Sequence, residues 1–412
     1  MTRFLARNLA SPDATPSLWR RLKQAALVLA TGAFVASCSG GLSNMTGTGG
    51  VATEPAAPSV PGTTIGTGNV KVALLLPLSA GGQAGAAAVS LRNAAELAMS
   101  EFSEPDIQIL VKDDRGTADG ARAAAQSAIS EGAELILGPL FADAVRAAGQ
   151  VARGAGRPVI AFSTDAGAAA PGVYLLSFMP ESEVERVVAY AARQGQRSFA
   201  ALIPNTAYGR VAQAAFQTAV ARNGGRIVAM ETFDRANAAA QAAKIAAVAG
   251  GASPQVNAVF IPDSGDSLIT VAQALQGAGV DPQKVRMLGT GVWNEARIFS
   301  QAGLQGGWFA APETAGFNAF AQRYRAKYGS DPTRIATLGY DAVSLAAALV
   351  RTQGQQRFSE PVLTNASGFA GADGVFRFNP NGTNERGLAV LEIRNGTAVS
   401  VSPAPRQLGA GG

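Results

Sequence analysis

The sequence predicts an α/β fold with two lobes, in which each lobe is a mainly parallel sheet flanked by helices and the lobes enclose a central cleft. From residue 69 onward, short apolar runs rich in β-branched residues alternate with alanine-rich stretches. Runs that are apolar on both faces and separated by helices are typical of parallel sheets covered on both sides. The chain has 412 residues, of which 47% are hydrophobic, and this suffices for one large core or two medium ones.

The apolar runs are the candidate strands, and the stretches between them are the candidate helices. The predicted strands are 70–78, 107–112, 134–137, 158–162, 173–178, 198–203, 226–232, 256–261, 285–288 and 307–310. The predicted helices are 87–102, 118–130, 181–193, 211–222, 266–276 and 317–328.

A weak internal repeat supports the division into two lobes. Residues 74–82 resemble residues 201–209, and residues 112–128 resemble residues 232–248. The alternative is that all strand–helix units look alike in an alanine-rich chain. The predicted two-lobed domain spans 69–402. The predicted first lobe is then 69–178 with 311–353, and the second lobe is 179–310 with 354–402.

Two residue counts exclude whole classes of chemistry. The chain has no histidine, which excludes Ser/His/Asp and Cys/His nucleophiles and the commonest zinc and iron ligand sets. Its single cysteine is Cys38, so the chain can form no internal disulfide and no CxxC metal or redox pair. These counts argue against a metal centre.

One segment superficially matches a dinucleotide-binding unit. Residues 79–85 follow a predicted strand and precede a predicted helix, and Asp113 and Asp114 end the next strand. The G-x-G-x-x-G spacing is not met, because Ala80 stands where the first glycine belongs. Adjacent carboxylates on a strand point to opposite faces, so we expect Asp113 and Asp114 to hold the following turn rather than a metal.

The N-terminal segment has the features of a secretory signal. A basic cluster at 20–23 precedes an apolar run at 25–36 that is too short to span a bilayer as a helix. Two small residues then precede Cys38, and this pattern resembles a bacterial lipobox, which implies lipidation of Cys38 and a membrane anchor. An ordinary signal peptide is the alternative. By the same resemblance, Ser39 favours the periplasmic side of the outer membrane of a Gram-negative bacterium.

The segments that flank the predicted domain differ from the domain itself in amino-acid composition. After a signal peptide at 1–37, residues 38–68 are rich in Gly, Ser, Thr, Pro and Ala and are predicted to form a flexible tether. Residues 403–412 are predicted to be a disordered tail.

The basic excess of the chain lies in its N-terminal segment. Five of the 34 basic residues but only one of the 29 acidic residues precede Cys38, which leaves 29 basic and 28 acidic residues in the rest of the chain. Nucleic-acid binding by the domain therefore has no electrostatic support.

An ordered series of segments carries a family resemblance. The segments are 72–102, 110–126, 135–145, 157–165, 203–216, 338–349 and 368–396. Together they resemble type 1 periplasmic binding proteins of the leucine/isoleucine/valine-binding group. The resemblance implies the two-lobed fold, no enzymatic activity and no cofactor. With the lipobox and the tether, the chain is similar to penicillin-binding protein activators, which are outer-membrane lipoproteins that reach a peptidoglycan synthase.

This resemblance implies a preferred function and an alternative. The preferred function is regulation of a peptidoglycan synthase, with a penicillin-binding protein as the partner. The alternative is the substrate-binding component of an amino-acid ABC transporter of the branched-chain type, with a small polar ligand such as an amino acid in the cleft. A scaffold or sensor without either role is the third class.

The resemblance also implies which residues line the cleft. The expected cleft residues are Ser79, Leu140, Phe141, Ser163, Thr164, Tyr208, Asp263, Thr290 and Trp293. Amino-acid receptors of the family usually have serines where this chain has Leu140 and Phe141, and those serines hold the ligand's carboxylate. This departure argues against binding of a zwitterion.

Each of these residues also has a purely structural interpretation. Ser79 and Thr164 are residue types that commonly cap helices, and Asp263 precedes Ser264 and Gly265 in a sequence typical of an Asx turn. Tyr208 is alternatively a packed hinge aromatic. Trp293 is alternatively an exposed partner contact or a core residue.

Overall fold

The structure is a computed structural model that describes residues 64–408. The predicted signal peptide, Cys38 and most of the predicted tether lie outside the described residues, as do residues 409–412. The tether prediction extended to residue 68, but Thr64 and Ile65 form a short strand that pairs with a strand of the first sheet. The folded chain therefore begins before the predicted boundary.

Sixteen strands and eleven α-helices follow one another in the described part of the chain. The strands are β1 Thr64–Ile65, β2 Val70–Leu76, β3 Ile107–Asp113, β4 Leu135–Leu137, β5 Val159–Ala161, β6 Val173–Leu175, β7 Ser198–Pro204, β8 Arg226–Phe233, β9 Ala258–Phe260, β10 Arg286–Gly289, β11 Trp308–Ala311, β12 Phe369–Gly371, β13 Gly374–Phe378, β14 Asn384–Arg386, β15 Ala389–Arg394 and β16 Thr397–Ser402. The helices are α1 Gly82–Glu101, α2 Ala118–Ser130, α3 Ala142–Gly154, α4 Pro180–Arg193, α5 Ala207–Arg222, α6 Ala238–Ala249, α7 Gly265–Gly277, α8 Ala296–Phe299, α9 Thr314–Tyr328, α10 Ala336–Gln353 and α11 Glu360–Leu363.

The strands form two large sheets and one small one. The first sheet has the order β1-β3-β2-β4-β5-β6 and is parallel apart from β1. The second has the order β16-β15-β11-β10-β9-β7-β8, in which only β15 and β16 run antiparallel to their neighbours. The small sheet, β12-β13-β14, is antiparallel. None of the helices described here is long and apolar enough to cross a membrane.

Each large sheet is covered on both faces, which explains why its strands are apolar throughout. Every residue of β7 is buried. Helices α1 and α10 pack on one face of the first sheet, and α2 and α3 pack on the other. Helices α4 and α5 cover one face of the second sheet, and α6 and α7 cover the other. The predicted two-lobed α/β fold is thus confirmed, and each predicted strand overlaps an observed one.

The last crossing between the lobes lies later than the sequence predicted. Residues from 354 onward were expected in the second lobe, but Phe358, Leu363, Phe376 and Phe378 pack into the core of the first lobe. After β11, the chain returns to the second sheet only with β15. The physical reason is that the small sheet uses its aromatic face to extend the first core: Phe378, for example, contacts Tyr174 at a ring distance of 5.4 Å.

The predicted tail makes contacts in its first residues. The main-chain N–H of Ala404 donates to the Glu313 carboxylate at 3.0 Å, and Arg186 donates to the main-chain oxygen of Pro403 at 3.4 Å. The described chain beyond β16 therefore lies against the second lobe.

Helices α1 and α10 approach each other closely because Gly339 has no side chain. A Cβ atom on Gly339 would lie 2.6 Å from the main-chain oxygen of Leu91. Gly277, the last residue of α7, offers a matched contrast, since a Cβ atom there would meet nothing within 4 Å.

We predict opposite effects on stability from the same substitution at these two glycines. Gly339→Ala should lower the free energy of unfolding by ~1–3 kcal/mol, because the helices must separate to accept the methyl group. Gly277→Ala should leave it unchanged or raise it by up to ~1 kcal/mol, because alanine is the better helix former. Urea unfolding followed by circular dichroism measures both. Equal effects of the two substitutions would contradict the close contact.

Candidate functional site

The carboxyl ends of the parallel strands in both lobes meet at one place between the lobes. Two adjoining cavities lie there, one of about 650 Å³ and one of about 280 Å³. Both are lined by Thr164, Phe178, Tyr208 and Ile335, so they are parts of one space. We call this space the interlobe cleft. Ligands of open α/β sheets bind outside the carboxyl ends of the strands, which makes the cleft the candidate functional site.

The first-lobe wall combines apolar side chains with hydroxyl groups. Leu140, Phe141, Ser163 and Thr164, all predicted from the sequence, line the cleft. Phe141 is 40% exposed, an unusual position for a phenylalanine. Ser163 is buried, and its Oγ accepts the main-chain N–H of Asp165 at 3.1 Å. The hydroxyl of Ser163 thus also shapes its own loop.

The second-lobe wall presents Tyr208 and Arg210 from the first turn of α5. The Tyr208 hydroxyl lies 2.7 Å from Thr290 Oγ1, which fixes the ring against the end of β10. Burial, with the nearby Glu183, raises the pKa of Tyr208 well above its ordinary value, so the hydroxyl stays neutral. Arg210 is exposed and lines the larger cavity.

Four of the predicted residues do not line either cavity. Ser79 donates its main-chain N–H to Asp113 at 3.3 Å, and Asp263 lies beyond the cavity lining at the end of β9. Thr290 is fully buried behind Tyr208. Trp293 is also fully buried: its indole N–H donates to the main-chain oxygen of Ile261 at 3.0 Å, and its ring occupies the space that a side chain on Gly289 would need. Trp293 is therefore a core residue, one of its two structural interpretations.

Asp113 and Asp114 hold the turn after β3. Asp113 accepts the N–H of Arg115 at 2.9 Å, and Asp114 accepts the N–H of Gly116 at 2.7 Å. Arg115 and Gly116 both have positive φ, 55° and 68°, a conformation that the two carboxylates stabilise. Burial raises the pKa of Asp114 to about 6. This arrangement agrees with the role expected from the sequence.

Sequence analysis missed the residues at the inner end of the cleft. Phe178, Glu183, Arg334 and Ile335 line the smaller cavity. Phe178 and Glu183 come from the first lobe crossing and the start of α4, whereas Arg334 and Ile335 come from the segment before α10, which lies far later in the sequence. No local motif marks them, and only a map of long-range contacts could have indicated their meeting.

Phe178 lies between two guanidinium groups. The Arg334 guanidinium carbon is 4.6 Å from the Phe178 ring centre, and that of Arg386 is 4.9 Å from it. Arg334 pairs with the buried Asp373 through two hydrogen bonds of 2.8 and 3.0 Å. Arg386 donates through Nε to the main-chain oxygen of Ser177 at 3.2 Å. The aromatic floor of the cleft is thereby held in one orientation.

Two buried carboxyl groups accompany these arginines. Glu183 accepts the N–H of Gly291 at 2.9 Å, and Asp341 accepts the N–H of Ala372 at 2.6 Å. Burial raises the pKa of each to about 7, against the opposing influence of Arg334 and Arg386. Glu183 is therefore largely protonated below neutral pH.

We predict that Glu183 makes the stability of the protein fall with rising pH. The folded pKa of about 7 lies above the ordinary value of 4.5, so the folded state keeps a proton that the unfolded chain releases. The stabilisation is fully present below pH 4.5 and is lost as the pH rises to 7. Glu183→Gln cannot ionise and should reduce the stability difference between about pH 5 and about pH 8 in urea unfolding. An equal change in stability between the two pH values in the unsubstituted protein and in Glu183→Gln would contradict a raised pKa for Glu183.

Comparison with known proteins identifies the family. A family model described as "Periplasmic binding protein" matches residues 69–398. A search of curated protein sequences found no match. Solved structures match over nearly their whole length. One from Rhodospirillum rubrum, assigned to branched-chain amino acid ABC transport, has 21% identity and a TM-score of 0.71, covering 81% of this chain and 99% of that chain.

Two further neighbours were solved with ligands. A branched-chain amino acid transporter substrate binding protein from Streptococcus pneumoniae, in complex with isoleucine, has 20% identity and a TM-score of 0.61, covering 82% of this chain and 99% of that chain. A solute binding protein of an ABC transporter from R. palustris, in complex with benzoate, has 20% identity and a TM-score of 0.61, covering 83% and 98%. The chain thus belongs to the periplasmic binding protein family and has the type 1 fold of its leucine-binding group.

Proposed function

We propose that this protein binds a small organic molecule in the interlobe cleft and serves as the non-catalytic, periplasmic substrate-binding component of an ABC transporter. The observation that carries the proposal is that one cleft receives side chains from both lobes, Thr164 from the first and Tyr208 from the second. A ligand in contact with both walls favours the closed arrangement of the lobes, because it gains contacts there that the open arrangement does not offer.

The size and lining of the cleft support a small ligand. The larger cavity, at 650 Å³, lies within the range of about 300–1,000 Å³ that is usual for small-molecule sites. Its wall is mainly apolar, with a few polar groups from Ser163, Thr164 and Tyr208. The structural neighbours with isoleucine and with benzoate make a small carboxylate the first class of ligand to test.

Regulation of a peptidoglycan synthase is the second candidate function. The lipobox-like sequence at Cys38 and the replacement of serines by Leu140 and Phe141 favour it. In that case the domain binds a penicillin-binding protein through its outer surface, and the cleft need not bind a small ligand. Lipidation at Cys38, attachment to the outer membrane and this protein partner remain proposals.

The transport function predicts that the cleft binds a carboxylate with micromolar affinity. Isothermal titration with the twenty amino acids and with small apolar carboxylates should identify a ligand. Phe141→Asp should weaken its binding at least ~10-fold, because the new charge lies in the apolar wall. Val399→Asp is the matched control, since Val399 is 37% exposed on β16 and does not line the cleft. It should leave the affinity unchanged.

Two results would favour the regulator instead. One is the absence of binding by every compound in the panel. The other is specific capture of a penicillin-binding protein by the purified chain, with the capture unaffected by Phe141→Asp.

A further inference from the structure

We infer that the cleft selects a carboxylate that has an apolar, ring-sized body and no ammonium group, and that Arg210 anchors its carboxylate. This inference rests on the proposed ligand-binding function and specifies the class of ligand. It departs from the amino acid that was given as the ligand of the alternative function, and it agrees with the argument from Leu140 and Phe141 against a zwitterion. The structural basis is the contrast between the acidic and the basic groups that line the cleft.

Every acidic residue that lines the two cavities is already engaged. Asp165 accepts the N–H of Gly167 at 2.8 Å and pairs with Arg146 at 3.2 Å. Glu295 pairs with Arg297 at 2.8 Å. Glu183 is buried and accepts the N–H of Gly291, and its raised pKa leaves it only partly ionised near neutral pH.

The ammonium group of an amino acid would therefore find no free carboxylate among the residues that line the two cavities. The carboxylate oxygens of Glu181 and Asp263 that lack a hydrogen-bond partner are buried and are not part of this lining. Moving an ammonium group from water into a cavity with apolar walls is unfavourable unless a charged partner compensates for the lost hydration. A ligand that has the same body but lacks the amine avoids this penalty. The cleft thus discriminates against amino acids of matching shape.

The two basic residues that line the cavities differ from each other in this respect. Arg334 lines the smaller cavity, but its guanidinium group already forms two hydrogen bonds to Asp373 and lies between the rings of Phe178 and Phe317. Arg210 is exposed in the larger cavity and has no ion-pair partner within residues 64–408. Its guanidinium group is free to form the paired hydrogen bonds that arginine makes with carboxylates.

The walls beside Arg210 fit an apolar ring. Phe141, Phe162 and Phe178 line the larger cavity. Phe178 is held by Arg334 and Arg386, so it offers a fixed surface rather than a mobile one. Ring-to-ring contact of this kind adds to the stabilisation that comes from burying apolar area.

Pairs of compounds that differ in one group test this inference. Isothermal titration of the full chain should compare hydrocinnamate with phenylalanine and isocaproate with leucine, because each pair differs only in the ammonium group. Benzoate and benzamide differ in the charge that Arg210 would bind. We expect the compound without the amine to bind at least ~10-fold more tightly in each of the first two pairs, and benzoate at least ~10-fold more tightly than benzamide.

Substitution of Arg210 tests the anchoring role separately. Arg210→Gln should weaken benzoate and hydrocinnamate binding by ~10-fold or more and leave benzamide binding unchanged. Arg210→Lys should restore part of the loss, because it returns the charge without the fork of donors. Arg226→Gln is the matched control, since Arg226 is an exposed arginine at the opposite end of β8 that does not line the cleft.

The possible outcomes separate the ligand class proposed here from the ligand-binding function on which it rests. Tighter binding of phenylalanine or leucine than of its partner would overturn this inference and keep the ligand-binding function. Equal effects of Arg210→Gln and Arg226→Gln would remove Arg210 as the anchor. Failure of every compound to bind would overturn the ligand-binding function itself.

Discussion

The contact of Phe178 with two guanidinium groups, that of the buried Arg386 and that of the partly buried Arg334, is the constraint on which the cleft depends. Phe178 lies where the chain leaves the first lobe, Arg386 lies where it leaves that lobe for the last time, and Arg334 precedes α10. The main-chain oxygen of Ser177 accepts hydrogen bonds from both Asn384 and Arg386, at 2.9 and 3.2 Å. The two crossings are thus joined to each other beside the cleft.

The two arginines at this junction are stable in the folded protein only while the carboxyl groups around them are also present. A buried ion pair contributes little net stability because desolvation opposes the attraction, yet removal of one partner leaves a buried charge and costs about 3–5 kcal/mol. Asp373, Asp341 and Glu183 compensate the two arginines here, each from a different element. The same groups that fix the floor of the cleft therefore also connect the segments in which the chain passes between the lobes.

The fold was predictable from the sequence, and the inner end of the cleft was not. Runs such as 198–203 are apolar at every position because helices cover both faces of the sheet, and that pattern is visible without a structure. The small sheet was missed because β14 buries polar residues, Asn384 and Arg386, and lacks the apolar pattern of a strand. Thr164 and Tyr208 were accessible to prediction because they lie in two of the segments that carry the family resemblance, 157–165 and 203–216. Glu183 and Arg334 were not, because only the tertiary fold brings them together.

A crystal structure with the tightest-binding carboxylate tests the central claim most directly, namely that the two lobes hold one small molecule between them. The account predicts electron density for the ligand between Phe178 and Tyr208, with contacts to the Ser163–Thr164 loop of the first lobe and to α5 of the second. Density that contacts one lobe alone, or that lies outside the interlobe cleft, would contradict it.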